Sequence, residues 1–163
     1  MKITVLCVGK IKEKFYRDAV AEYEKRLGRY CKLEIVEVAD EKTPEGASPL
    51  IEEQIREREG ERLSARLDKY RQTGAFVCAL AIEGKQLDSI EFSRTLEQLG
   101  IRGTSHIVFL IGGSLGMSGQ ILAQADRKLS FSSMTFPHQL MRVILLEQIY
   151  RAYRIMNGEP YHK

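Results

Sequence analysis

A glycine-rich segment, IGGSLG at Ile111–Gly116, directly follows the apolar run His106–Leu110. Glycine lets the backbone approach a ligand closely, and such a loop after a buried strand is typical of a binding site. It lacks the lysine that a P-loop places after its last glycine. A dinucleotide-binding loop follows the first strand and has an acidic residue about 20 positions on, whereas Asp126 comes ten residues after Gly116. If the loop holds a ligand rather than forming a plain turn, that ligand is neither a triphosphate nor a dinucleotide.

A second segment with binding chemistry is FSSMTFPH at Phe131–His138. Its hydroxyl and backbone groups are polar, whereas Met134 and Phe136 offer apolar surface. Pro137 then begins a helix, and the N-terminus of a helix favours anions. This mixture suits a nucleoside-like ligand, although core packing would also explain either apolar side chain alone.

The last helix carries an arginine on its apolar side. At about 100° per residue, Arg142 falls among apolar residues that include Leu145 and Ile149. Its head group needs a partner, which could be a substrate phosphate, a carboxylate of a neighbouring subunit or a structural ion pair. The helix is apolar around much of its circumference, so we expect one side to meet a second copy of the chain, and a charge at Ile149 to give monomers or insoluble protein.

The elements that must position these segments alternate along the chain. Helical patterns separate five predicted strands, at Lys2–Val8, Leu33–Val38, Ala75–Ile82, His106–Ile111 and Lys128–Phe131. This order predicts one α/β domain over residues 1–163, with a mostly parallel sheet and helices on both of its faces. Ligands bind beyond the carboxyl ends of such strands. We therefore expect three loops to line one cleft, at Leu80–Lys85, Ile111–Gly116 and Phe131–His138.

Composition narrows the class of protein. Hydrophobic residues make up 44% of the 163, and no apolar run approaches the roughly 20 residues that span a bilayer. Three widely spaced cysteines predict free thiols in a reducing cytoplasm, and no His pair has metal-ligand spacing. The net charge is +3, and residues 127–163 alone hold six basic and two acidic side chains. That excess weakly favours an anionic partner such as nucleic acid, although ordinary surface charge explains it equally well.

The chain resembles the ribosomal RNA large subunit methyltransferase H family in three stretches: IGGSLGMS, KLSFSSMTFPHQLMRVILLEQIYRAYRI and the ending GEPYHK. The likeness extends to the start, MKITVLCVGKIKEKF, and to LAIEGKQLDSIEF, so it covers essentially the whole chain. Members of this family methylate N3 of a pseudouridine in the helix 69 loop of 23S rRNA, using S-adenosylmethionine. The resemblance implies a SPOUT-type fold with a C-terminal trefoil knot, and a homodimer whose active site forms where the subunits meet.

The family's cofactor contacts carry over to matching positions in the three loops. They fall at Leu80, Gly112, Phe131, Ser132, Ser133, Met134, Thr135 and Phe136. The reacting imide nitrogen of the pseudouridine must lose its proton. His138, Tyr161 and His162 are the candidate general bases. We favour His162, in a tail that could reach the partner's cofactor.

Cationic side chains near the tail complete the predicted site. Arg142 could help the imide to ionise, and Arg142, Arg154 and Lys163 are predicted to contact RNA. No metal is expected. Two other classes remain open: a non-catalytic RNA- or ribosome-binding module on the same scaffold, and a nucleotide-dependent oxidoreductase, which the position of the glycine loop disfavours.

Overall fold

Strands and helices alternate through the whole chain in a computed structural model that describes residues 1–163. The elements are β1 (Lys2–Val8), α1 (Lys14–Leu27), β2 (Lys32–Val38), α2 (Pro49–Arg71), β3 (Phe76–Gln86), α3 (Ser89–Ile101), β4 (His106–Ile111), α4 (Gly119–Leu122), β5 (Arg127–Ser130) and α5 (His138–Met156). The five strands form one sheet in the order β2-β1-β4-β3-β5, and every pairing is parallel. The predicted α/β class is confirmed.

Apolar clusters lie on both faces of the sheet because successive side chains of a strand point to opposite sides. Ile3, Val5 and Cys7 of β1 pack with α1, α3 and α5, whereas Leu6 and Val8 pack with α2 and α4. The central strands β1 and β4 are therefore covered on both sides, which is typical of parallel sheets. No helix is long and apolar enough to cross a membrane.

Local capping explains where the helices begin. The Ser48 hydroxyl accepts the Ile51 N–H at 3.2 Å, with Pro49 as the first residue of α2. Asp88 and Glu91 form a capping box at the start of α3, with hydrogen bonds of 2.7 and 2.9 Å. The sequence pattern predicts helices over about Pro49–Arg71 and His138–Met156, and the bounds of α2 and α5 confirm both.

The third strand extends four residues beyond its predicted end. Leu129 of β5 pairs first with Leu80 and again with Lys85, so residues 81–84 arch past it between the two registers. Gly84 permits this close approach, because a Cβ there would lie 2.6 Å from the Leu129 backbone nitrogen. The predicted trefoil knot concerns this part of the chain and stays a prediction.

Candidate functional site

The three predicted segments meet around one cleft of about 880 Å³. Ile111–Gly116 and Phe131–His138 follow β4 and β5 as predicted, but Leu80–Lys85 is part of β3 rather than a loop. Seven of the eight predicted cofactor contacts line it: Leu80, Gly112, Phe131, Ser132, Met134, Thr135 and Phe136. Ser133 is exposed and outside the lining. The sheet topology thus brings together residues that are up to 56 positions apart in the chain.

The glycine loop is a tight turn with no room for side chains on its inner side. The Gly116 N–H donates to the Gly113 carbonyl at 3.0 Å, and Gly116 has a φ of +81°. A Cβ on Gly112 would lie 2.8 Å from the Gly116 carbonyl carbon and equally close to Met117 Cγ. Any side chain at Gly112 would therefore force the turn open.

Serines hold the third loop in shape. The Ser130 hydroxyl donates to the Ser132 carbonyl at 3.0 Å, and the Ser132 hydroxyl accepts the Met134 N–H at 3.0 Å. This arrangement leaves the Met134 side chain 72% exposed at the cleft, although a methionine is usually buried. Core packing therefore does not explain Met134, whose apolar side chain is accessible from the cleft.

Four charged or titratable side chains also line the cleft: Glu52, Arg56, Glu83 and His138. Arg56 is held by Glu53 at 2.8 Å. Burial, and then the nearby Arg142 guanidinium, lower the pKa of His138 below its ordinary value. His138 is therefore held in its neutral form, which can accept a proton.

A buried carboxyl group lies directly behind the glycine loop, and the sequence analysis missed it. Glu59 is 4% exposed; its Oε2 accepts the Glu41 N–H at 3.0 Å, while its Oε1 has no partner. Burial raises its pKa. The signal was present in the sequence, because Ile55, Glu59, Leu63 and Leu67 recur every four residues and share the buried edge of α2.

The structure corrects the prediction for Arg142, which is buried inside its own subunit. The side chain is 1% exposed, and Nη1 donates to Glu37 at 2.6 Å. Nη2 donates to the carbonyls of Val8 and Gly9 at 3.3 and 2.5 Å. These contacts join α5 to β1 and β2. Because the guanidinium is buried, it presents no N–H donor to solvent, so it cannot contact RNA or the reacting nucleobase as predicted.

Within one chain the C-terminal tail lies outside the lining of the cleft. His138 at the start of α5 lines the cleft, and the 19 residues of this helix span roughly 28 Å at 1.5 Å per residue. The tail folds back along α5: the Tyr161 hydroxyl donates to Glu147 at 2.9 Å, and Arg151 lies over the Tyr161 ring and 3.2 Å from His162 Nδ1. Glu147 follows His138 by nine residues, or about 14 Å along the helix. Arg154 is ion-paired with Glu159, and Lys163 is exposed.

The tail tyrosine is a poor candidate base in this arrangement. Burial, followed by the hydrogen bond to Glu147, raises the pKa of Tyr161 above its ordinary value. Its hydroxyl therefore keeps its proton, which it donates to the carboxylate. Of the three predicted bases, only His138 lies at the cleft of its own subunit.

Comparison with known proteins places the chain in a family. A family model described as "Predicted SPOUT methyltransferase" matches residues 1–162. The ribosomal RNA large subunit methyltransferase H of Bifidobacterium adolescentis is 66% identical over 163 residues, which is the whole of both chains. Its namesake in Clostridium beijerinckii is 58% identical over the same length. The chain therefore belongs to the SPOUT methyltransferases, and among them to the ribosomal RNA large subunit methyltransferase H family.

Solved structures support the same fold. A probable methylase family protein from Haemophilus influenzae Rd KW20 superposes with a TM-score of 0.55 at 10% identity, over 99% of this chain and 70% of that one. The TrmH/SpoU tRNA modifying enzyme of A. aeolicus superposes with a TM-score of 0.50 at 14% identity, over 96% of this chain and 77% of that one. At these identities the two likenesses concern the fold alone.

Proposed function

We propose that this protein uses S-adenosylmethionine to methylate N3 of a pseudouridine in the helix 69 loop of 23S rRNA. One observation carries the proposal: seven of the eight positions matched to the family's cofactor contacts line a single cleft. The relatives' name supports large-subunit ribosomal RNA as the substrate.

The residues of the cleft fit such a cofactor. Backbone groups of the glycine loop can hold its polar methionine and ribose portions, and Met134 with Phe136 can cover an adenine. When bound, S-adenosylmethionine supplies a methyl group on a positively charged sulfonium. The contribution of this chain is alignment of that methyl group with the reacting nitrogen, and partial exclusion of water.

A homodimer accounts for the distance between the tail and the cleft. Leu140 and Ile144 lie half-buried on α5, outside both apolar clusters of their own subunit. A two-fold contact along this surface would cover them and direct Tyr161, His162 and Lys163 of one subunit toward the cleft of the other. In this arrangement His162 from the partner takes the imide proton, and Lys163 and Arg154 bind RNA phosphates.

The assembled ribosome is the proposed substrate rather than free RNA. The basic excess of residues 127–163 suits the phosphates of a large, structured RNA surface. The place of action would then be the cytoplasm, where ribosomes occur.

Calorimetric titration of the purified protein with S-adenosylmethionine and, separately, with NAD tests the cofactor. The chain has no tryptophan, so calorimetry is preferable to intrinsic fluorescence. We expect saturable binding of S-adenosylmethionine and none of NAD. Binding of RNA without binding of S-adenosylmethionine would instead indicate a non-catalytic module, and binding of NAD would indicate an oxidoreductase.

A further inference from the structure

The buried carboxyl group of Glu59 is separated from the cleft by a single glycine. Gly113 lines the cleft, and a Cβ built on it would lie 2.9 Å from Glu59 Oε1 and 3.1 Å from Oε2. Only a residue without a side chain can lie between them. The carboxyl oxygens therefore lie directly against the backbone that forms the cleft wall.

The surroundings of this carboxyl group leave its charge unbalanced. Oε2 accepts one backbone N–H, and Oε1 has no partner at all. The same Cβ position lies 3.2 Å from Val8 Cγ1, so β1 presents an apolar side chain here. The charged groups that influence the carboxyl group are Asp40 and Glu41 of the loop before α2 and Arg62 on α2. Arg62 is itself paired with Glu41 at 2.5 Å.

A buried carboxylate without a counter-ion is costly, so its presence calls for an explanation. A side chain that only supported the loop could be neutral and would avoid this cost. A carboxylate becomes favourable when a positive charge enters the adjoining cleft, because Coulomb interactions across a protein wall are screened much less than in water.

Resting on the proposed function, we infer that Glu59 is a specificity-determining residue that makes the cleft prefer the positively charged S-adenosylmethionine over its neutral product. The methyl donor carries a sulfonium, whereas S-adenosylhomocysteine carries an uncharged thioether in the same place. The two molecules are otherwise alike. The ionised form of Glu59 behind the glycine loop therefore attracts the donor more than the product, and it favours exchange of product for donor after each transfer.

Because Glu59 titrates, the affinity for the methyl donor should depend on pH. Burial raises the pKa of this carboxyl group, Asp40 and Glu41 raise it further, and the Glu41 N–H and Arg62 oppose the rise. A bound cation favours the ionised form, so binding of the donor lowers this pKa and releases protons while the group is partly protonated. Affinity for the donor should then increase with pH across the titration of Glu59, and affinity for the product should change much less.

The test is calorimetric titration of wild type, Glu59→Gln and Glu61→Gln with each of the two ligands. Gln keeps the shape and can still accept the Glu41 N–H. Glu61 lies on the same helix but is exposed, so its variant controls for loss of one charge. We expect Glu59→Gln to lower the donor-to-product affinity ratio about tenfold, to leave product affinity nearly unchanged and to abolish the pH dependence. Glu61→Gln should match wild type.

Two further measurements separate this inference from a structural role and from the proposed function. Glu59→Asp keeps the charge but alters the shape. It should therefore weaken the binding of both ligands and retain the donor-to-product affinity ratio. Proton release by wild type, measured in buffers of different ionisation enthalpy, needs no variant. An equal loss of both affinities in Glu59→Gln, or no proton release, would overturn the inference. Failure of wild type to bind the donor at all would instead refute the proposed function.

Discussion

Arg142 on the last helix and Glu37 on β2 form an ion pair of 2.6 Å, 105 residues apart in the chain. The arginine is almost fully buried, and it also donates to two carbonyls at the end of β1. Together these contacts fix the start of α5, and therefore His138 and the third loop, relative to the sheet.

Replacing Arg142 by Met should destabilise the protein. The change leaves Glu37 and two buried carbonyls without their donor, and loss of one partner of a buried pair costs about 3 kcal/mol. Urea unfolding measures this loss in the free energy of unfolding. Glu37→Gln is the comparison, and its effect should be smaller because Glu37 is partly exposed. A stability equal to wild type for Arg142→Met would show that the pair does not hold α5 in place.

Gly112→Val should abolish binding of S-adenosylmethionine while leaving the fold largely intact. A side chain there meets the Gly116 backbone at 2.8 Å and opens the turn that forms the cleft wall. We expect at least a hundredfold loss of affinity, or about 2.7 kcal/mol, by calorimetry. Gly119→Ala is the matched control, since a Cβ at Gly119 meets nothing within 4 Å. Undiminished affinity in folded Gly112→Val would remove the loop from the site.

Ile144→Asp should convert a homodimer into monomers with little loss of stability. Ile144 lies half-buried on α5 outside the apolar clusters. The expectation that Ile149 lies at the contact between copies is wrong, because Ile149 is 0% exposed in the core of its own subunit. Ile149→Asp should therefore unfold the chain. Sedimentation velocity at micromolar concentration gives the oligomeric state, and a monomeric wild type would contradict both the dimer and the shared site.

Deleting Tyr161, His162 and Lys163 should strongly reduce methyl transfer and leave cofactor affinity nearly unchanged. In one subunit the tail packs against Glu147 and Arg151 of α5 and does not line the cleft, so its loss should leave the cofactor contacts of that subunit in place. His162→Ala and His138→Ala identify the general base, because the variant that lacks it should turn over more slowly even at saturating ribosomes. If only ribosome affinity falls in His162→Ala, the tail is an RNA clamp. A truncated enzyme that works at the wild-type rate would exclude both roles.

Much of the fold follows from local signals in the sequence. The bounds of α2 and α5 could be predicted because Ser48 with Pro49 and Pro137 mark their starts. The loops after β4 and β5 could be placed at one edge because parallel strands end together, whereas Leu80–Lys85 lies within β3. In contrast, the extension of β3 depends on its second pairing with Leu129, which no local pattern encodes.

The chemistry of single side chains was harder to predict. Periodicity placed Arg142 on the buried side of α5, but its partner Glu37 lies on a strand far away in the sequence. Glu59 was overlooked within a charged run, although its spacing from Ile55 and Leu63 marks the buried edge. A buried charge is decided by three-dimensional neighbours, which sequence spacing gives only for the same helix.

Methyl transfer to ribosomal RNA tests the central claim most directly. The protein is incubated with S-adenosylmethionine carrying a labelled methyl group and with free 23S rRNA, isolated large subunits or whole ribosomes, and mass spectrometry locates the label. The account predicts one labelled methyl group on N3 of a pseudouridine in the helix 69 loop, transferred most efficiently on assembled ribosomes. Gly112→Val should transfer none. Label at another nucleotide, or no label with any of the three substrates, would contradict it.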